Sequence, residues 1–208
     1  MFSGDKFKKT IVGKFFELPR RLFDLAFFHV TAKMLEARSR FTQLEHFCKR
    51  RLQQRPQDYL ANYYLARVLR KQDKLDEAVK VYRKIPQLPG SKFFLDTFDF
   101  LWALFEAGRY DEAVVAGEDA LNKLNSVSLG LESALRDLYL DTVHRVVGGS
   151  YAKLEEYKKA IPHLEIACKL DKATHPEKVR QLLQQCREGL ERQRFEGTSE
   201  ESHEQEDL

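Results

Sequence analysis

Proline and glycine are scarce in this 208-residue chain, at six and ten residues. That leaves little room for a long unstructured linker. Cysteine is scarcer still. Cys48, Cys168 and Cys186 are odd in number, widely spaced and lack a CxxC pair. Such a set excludes a disulfide framework and points to buried or half-buried thiols in a reducing, cytoplasmic compartment. No run reaches the roughly 18–20 apolar residues that cross a bilayer. The first residues lack the apolar core and small-residue cleavage site of a secretory signal, and Asp5 and Glu17 interrupt what would otherwise resemble a mitochondrial presequence. Chemical motifs are missing too. There is no HExxH, no GxSxG and no GxxxxGK[ST], and the six histidines form no defensible metal spacing with Cys, Asp or Glu. The reading is therefore of a protein that is not an enzyme, with no catalytic residue, cofactor or metal ligand.

What the chain has is charge and apolar periodicity. Charged residues make up 32%, hydrophobic residues 43% and aromatics 12%. Apolar positions recur at spacings of three and four, so the expected class is all-α with one sizeable core. Helices are predicted near 20–37, 41–54, 58–71, 75–86, 92–106, 110–124, 130–153, 156–170 and 175–194. Pro56, the Pro86–Gly90 stretch and Gly108 mark breaks, and Thr174-His175-Pro176-Glu177 marks a start.

The helices carry a repeat. Leu75-Asp76-Glu77-Ala78 recurs as Tyr110-Asp111-Glu112-Ala113 and, loosened, as Tyr157-Lys158-Lys159-Ala160, with Ala-to-Ala spacings of 35 and 47. About nine residues before each Ala stands a large apolar residue: Leu69, Leu104 and Tyr151. A period near 34 in a helix–turn–helix pattern means units that cannot bury their apolar faces alone. The longer last spacing inserts 129–140, which extends a helix and sets Leu131, Leu135 and Leu138 on it as packing or as a docking ledge.

Charge is unevenly spread. Residues 1–58 carry +7, residues 59–195 carry +2 and residues 196–208 carry −6. The chain divides accordingly into a basic aromatic arm (1–18), a helical domain (19–195) and an acidic, disordered tail (196–208). Nine of the fifteen Phe fall within residues 1–47. The arm sets Phe2, Phe7, Ile11 and Phe15 among Lys8, Lys9 and Lys14, and has three outlets: packing on the first unit, entering a partner, or lying on an anionic membrane.

The repeats resemble the tetratricopeptide repeat. Residues 59–92 match through Leu65-Ala66, Leu69, Ala78 and Tyr82. Residues 94–127 match through Leu104, Gly108, Ala113 and Ala120, with Leu101 in place of a small residue and Gly117 in place of an aromatic. Residues 141–174 match through Val147-Gly148, Tyr151, Ala160, Leu164 and Ala167. A degenerate first unit, 25–58, carries Ala32, Leu35, Leu44 and Cys48. The resemblance implies a right-handed superhelix of about four helical hairpins over 25–195, closed by a capping helix at 175–194. It implies a concave groove lined by one face of each first helix: Ala26, His29, Lys33 and Glu36; Leu60, Tyr63, Arg67 and Arg70; Leu95, Phe98, Trp102 and Phe105; Thr142, Arg145, Gly149 and Ala152.

Lys33, Tyr63, Arg67, Arg70, Phe98, Trp102, Phe105 and Arg145 are thus the expected partner-binding residues. They suit an adaptor, scaffold or assembly factor for a protein or peptide with apolar anchors and acidic flanks. Tyr63, Tyr64, Leu95 and Asp99 occupy several positions where the carboxylate-clamp members of the family need Lys or Asn, which argues against that partner class. Peripheral membrane contact through the arm is the alternative. Nucleic-acid binding through the basic N-terminal part is a weaker alternative, disfavoured because the basic residues follow no recognised binding motif, and a small-molecule substrate is disfavoured as well.

Overall fold

The computed structural model describes residues 20–89, 93–126, 133–170 and 176–204, with side chains described for 22–89, 96–124, 136–170 and 176–195. Among these residues the regular structure is helical throughout. It comprises α1 (Arg20–Ala37), α2 (Phe41–Gln54), α3 (Tyr59–Lys71), α4 (Leu75–Tyr82), a 3₁₀ turn at Ile85–Gln87, α5 (Phe93–Glu106), α6 (Tyr110–Ser126), α7 (Ser133–Lys153), α8 (Tyr157–Lys169) and α9 (Pro176–Glu204).

Two boundaries depart from expectation. The helix expected over 75–86 stops at Tyr82, because Pro86 disfavours α-geometry at Ile85, and the 3₁₀ turn carries the fully buried Ile85 instead. The last helix, expected to end at 194, has helical backbone as far as Glu204, inside the segment expected to be disordered. Extending an existing helix costs no new nucleus, which is how so polar a segment can follow α9.

The chain forms two compact units, Met1–Val81 with Gln87–Gly90 and Tyr82–Pro86 with Ser91–Leu208. In the first, α1 packs on α2 and α3, and α2 on α3. Its core holds Phe28, Ala32, Leu44, Cys48, Tyr64, Ala66 and Leu69. Asp58 builds the α2–α3 corner: one carboxylate oxygen caps α3 by accepting from Ala61 N–H at 3.0 Å, and the other accepts from Arg51 Nε at 2.7 Å. Asn62 Nδ2 completes the corner by donating to the carbonyls of Pro56 and Asp58.

In the second unit α7 is the central helix, touching α5, α6, α8 and α9. That explains why it is apolar or small on nearly every side: Val143, Val146, Val147, Gly148 and Tyr151 are all buried. Gly148 is needed for the α7–α8 approach. A Cβ there would stand 2.9 Å from Leu164 Cγ and 3.1 Å from His163 Cβ. Gly117, where the repeat pattern expects an aromatic, makes room for Val147, whose Cγ2 would be 2.2 Å from an added Cβ.

The repeat is visible in the backbone itself. Ser39, Asp73, Gly108 and Glu155 all adopt left-handed φ, between 54° and 70°, at spacings of 34, 35 and 47 residues. Each sits at the same point of a helix-ending turn. Arg40 N–H donates to Leu35 O, Lys74 to Leu69 O, Arg109 to Leu104 O and Glu156 to Tyr151 O, each at 2.9 Å. This six-to-one bond is the Schellman closure. It recurs four times, so the degenerate first hairpin is a true unit, with Leu44 standing where Ala78 stands in the next.

Candidate functional site

Along α3, residues 60, 63, 67 and 70 are half-buried while 61, 62, 64–66, 68 and 69 are buried. The spacing of three, four and three draws one stripe on the helix, the one expected to line a groove. Arg67 is held there from three directions. Its guanidinium pairs with Glu36 at 3.0 Å, donates to Tyr63 Oη at 3.3 Å, and lies 5.5 Å from the Tyr63 ring centroid. Tyr63 stacks on Tyr59 at 5.9 Å, and Tyr64, on the buried side, meets His29 Nδ1 through its hydroxyl at 3.1 Å. Arg70 is half-buried and Lys33 exposed. The first unit therefore carries Tyr63, Arg67 and Arg70 along one stripe of α3, with Glu36 of α1 against Arg67 and Lys33 exposed on α1.

The second unit assembles the aromatic part. Phe98, Trp102 and Phe105 on α5 are all half-buried, between the fully buried Leu101, Ala103 and Leu104. Trp102 meets Phe105 edge to face, with ring centroids 5.9 Å apart. From α7 the Arg145 guanidinium lies 5.0 Å from the Trp102 centroid. Arg145 also pairs with Asp141, a fully buried carboxylate one turn earlier, at 3.6 Å. Burial lowers the Arg145 pKa and Asp141 opposes that shift. Phe98 packs on Tyr139 at 5.1 Å and Phe105 on Tyr110 at 5.5 Å.

Two expected groove residues are not on an open surface. Thr142 is buried, and Gly149 is covered: a Cβ added to it would stand 3.1 Å from the Phe105 ring and 3.9 Å from Leu182 of α9. On α7 the face narrows to Arg145 and the half-buried Ala152, because the capping helix packs on the same helix. That Arg67 and Arg145 each have a carboxylate of their own was not foreseen from the sequence; Asp141, four residues before Arg145 and on its face, was a legible signal, whereas Glu36, on another helix, was not. The arm residues Phe2, Phe7, Ile11, Phe15, Lys8, Lys9 and Lys14 lie outside the described residues, as do Leu131 and the side chain of Leu135.

The three cysteines are free thiols, Cys48 and Cys186 buried and Cys168 half-buried. Burial pushes the Cys48 thiol up to about 12 and raises Cys168 and Cys186 too. Among the described residues no three His, Cys, Asp or Glu side chains gather to hold a metal, and no helix is long and apolar enough to cross a membrane.

The fold has relatives among solved structures. The chain is similar to MamA from residue 41 to its end, from Desulfovibrio magneticus RS-1, with a TM-score of 0.58 and 14% identity over 80% of this chain and 91% of that one. It is similar also to the ArsTM double mutant of MamA RS-1, with a TM-score of 0.57 and 15% identity over 81% of this chain and 95% of that one. The fold is all-α and tetratricopeptide-like. At this identity the likeness concerns architecture alone. No protein-family model matches the chain, and no curated protein matches it.

Proposed function

We propose that this protein is an interaction module, an adaptor, scaffold or assembly factor, that docks a partner peptide on the first-helix faces of its hairpins. The observation that carries the reading is the α5–α7 aromatic face. Phe98, Trp102 and Phe105 stay half-buried beside the fully buried Leu101, Ala103 and Leu104, with a guanidinium over the indole. Half-buried aromatics with an adjacent Arg are the composition of binding hot spots. Repeat folds of this type serve as extended binding surfaces.

The partner that fits has apolar anchors for the aromatic face. Within the second unit an acidic flank suits Arg145, and in the first unit Lys33 and the α3 arginine pair suit acidic sequence by themselves, but Glu36 and Asp141 already meet part of the charge of Arg67 and Arg145. Selectivity therefore rests on exchanging an internal carboxylate for an external one, and apolar contact supplies most of the affinity.

Trp102 is the only tryptophan and so reports on its own face. The test is affinity capture from native cells with wild type and Trp102→Ala, each checked by a melting curve, followed by titration of the captured partner against Trp102 emission. Capture lost in a folded Trp102→Ala protein, together with a partner-dependent emission shift in wild type, supports the reading. Unimpaired capture by the variant refutes it.

A further inference from the structure

We propose that the outward face of α1 is a docking surface for an anionic lipid membrane, on which the helix lies in plane. This proposal is independent of the α5–α7 face. α1 has two apolar sides. Phe28 and Ala32 point into the core and are buried. Phe27, Val30 and Met34, spaced by three and four, form a second stripe turned outward; Phe27 is 57% exposed, Val30 54% and Met34 46%. A helix apolar on both sides ordinarily has cover on both. The terminal element of a repeat array ordinarily turns a polar side outward. The final helix α9 does so, with Arg187, Glu188, Glu191 and Arg192 exposed. Among the described residues, α1 does the opposite.

Charge selects the occupant. The two acids of α1 are both taken up by inner helices, Asp24 by Arg51 and Arg55, and Glu36 by Arg67. Lys33, Arg38 and Arg40, together with Arg50 of α2, are exposed, and none of the four pairs with a carboxylate among the described residues. Arg50 lines a cleft of about 230 Å³ with Phe27, Phe28, Phe47 and Arg51, and the Asp24 carboxylate that also borders it is paired with Arg51 and Arg55. That sets a cation beside aromatic rings, the chemistry of a phosphate headgroup joined to an acyl chain. A second copy seated on the same stripe would bring these four cations against their counterparts. The helix is too short of apolar residues to span a bilayer. In-plane insertion of an apolar face to roughly 5–10 Å, with cations at its margin, is the mode that remains. The basic sequence of residues 1–18 leads directly into α1 and adds to the attraction.

The test uses the full chain and vesicles of phosphatidylcholine with or without phosphatidylglycerol, in a flotation assay. Wild type is expected to float with the anionic vesicles only, and less at high salt. Phe27→Glu/Val30→Glu changes two exposed positions, so the protein is expected to keep its melting temperature while vesicle association falls at least about tenfold. Arg50→Gln is expected to lose roughly fivefold, the share of one basic residue at such a surface. Wild type that does not float overturns the proposal. So does a double variant that floats like wild type, most directly if deletion of residues 1–18 abolishes flotation, which would make the arm the anchor. If the double variant abolishes a dimer seen by light scattering and wild type ignores vesicles, the stripe belongs to a second copy instead. None of these outcomes bears on Trp102-dependent capture.

Discussion

At the residue scale, the repeat is enforced by a few positions whose demands differ in kind. Four residues close the hairpins in left-handed geometry, yet only Gly108 is glycine. For an L-residue that conformation costs roughly 1–2 kcal/mol, less for Asp than for Glu. Glu155→Gly is therefore expected to stabilise the protein by up to about 1 kcal/mol once the added freedom of the unfolded chain is deducted, and Asp73→Gly by less. Chemical denaturation of each variant measures this, and a loss on Glu155→Gly would mean that its side chain matters more than its backbone. Gly148 makes the reverse demand. Its φ is unremarkable, but a Cβ meets Leu164 at 2.9 Å, so Gly148→Ala is expected to overpack the α7–α8 contact and cost about 1–3 kcal/mol. The same denaturation series reads the contrast between the two glycine positions. The repeat register marked Gly148 as a small-residue position, because it stands where Ala66 stands in an earlier hairpin, although Leu101 breaks the pattern between them. It did not show Ser39, Asp73 and Glu155 as left-handed, because nothing in their residue types marks it.

At the element scale, helix existence was legible and helix environment was not. The apolar spacing located all nine helices found among the described residues, because their inner faces repeat every three to four residues. It said nothing of what stands opposite an outer face, so the outward stripe of α1 and the cover that α9 lays over Gly149 both escaped it. The α7–α8 contact hides a third such feature. His144 and His163, 19 residues apart, bring their Nδ1 atoms to 3.0 Å. One nitrogen must donate and the other accept, so a second proton would set two N–H groups face to face. Burial, then the neighbouring imidazole, pulls His144 from the ordinary 6.5 down to about 4. Burial lowers His163 as well, with Glu118 opposing. Between those values the unfolded chain binds protons that the folded chain refuses. This contribution to stability is thus complete above about pH 6.5 and is lost as pH falls toward 4. Glu45 of α2 titrates in a lower window. Hydrogen bonds from Lys49, then Lys74, hold it at about 2, so its contribution is present above about 4.5 and fades only below that. His144→Gln is expected to flatten the melting temperature between pH 4 and 6.5 and to leave the decline below pH 4 in place. A wild-type profile that is flat from 6.5 to 4 would contradict the pair.

At the scale of the whole molecule, the sequence's charge polarity has acquired a structural address at each end. The basic end contains α1 with its apolar outward stripe and exposed cations, and the acidic end continues α9. The last buried residues described on α9 are Val179, Leu183, Cys186 and Gly189, the last against the Tyr157 ring, and residues 191–195 are all exposed. Four of the six acidic residues of 196–208, Glu196, Glu200, Glu201 and Glu204, belong to the last turns of α9, where the macrodipole disfavours negative charge. Deleting 196–208 is therefore expected to change stability by no more than about 0.5 kcal/mol. It would also move the net charge from +3 to +9, since the segment carries six acids and no Lys or Arg. If α1 meets anionic lipid, the truncated protein should float with phosphatidylglycerol vesicles at lower vesicle concentration than the full chain, and the difference should vanish at high salt, because a long-range field is screened while the apolar stripe is not. Flotation that is equal at all ionic strengths would mean that the acidic segment does not temper the basic end. A truncated protein that no longer melts cooperatively would mean that the segment helps to hold α9 in place.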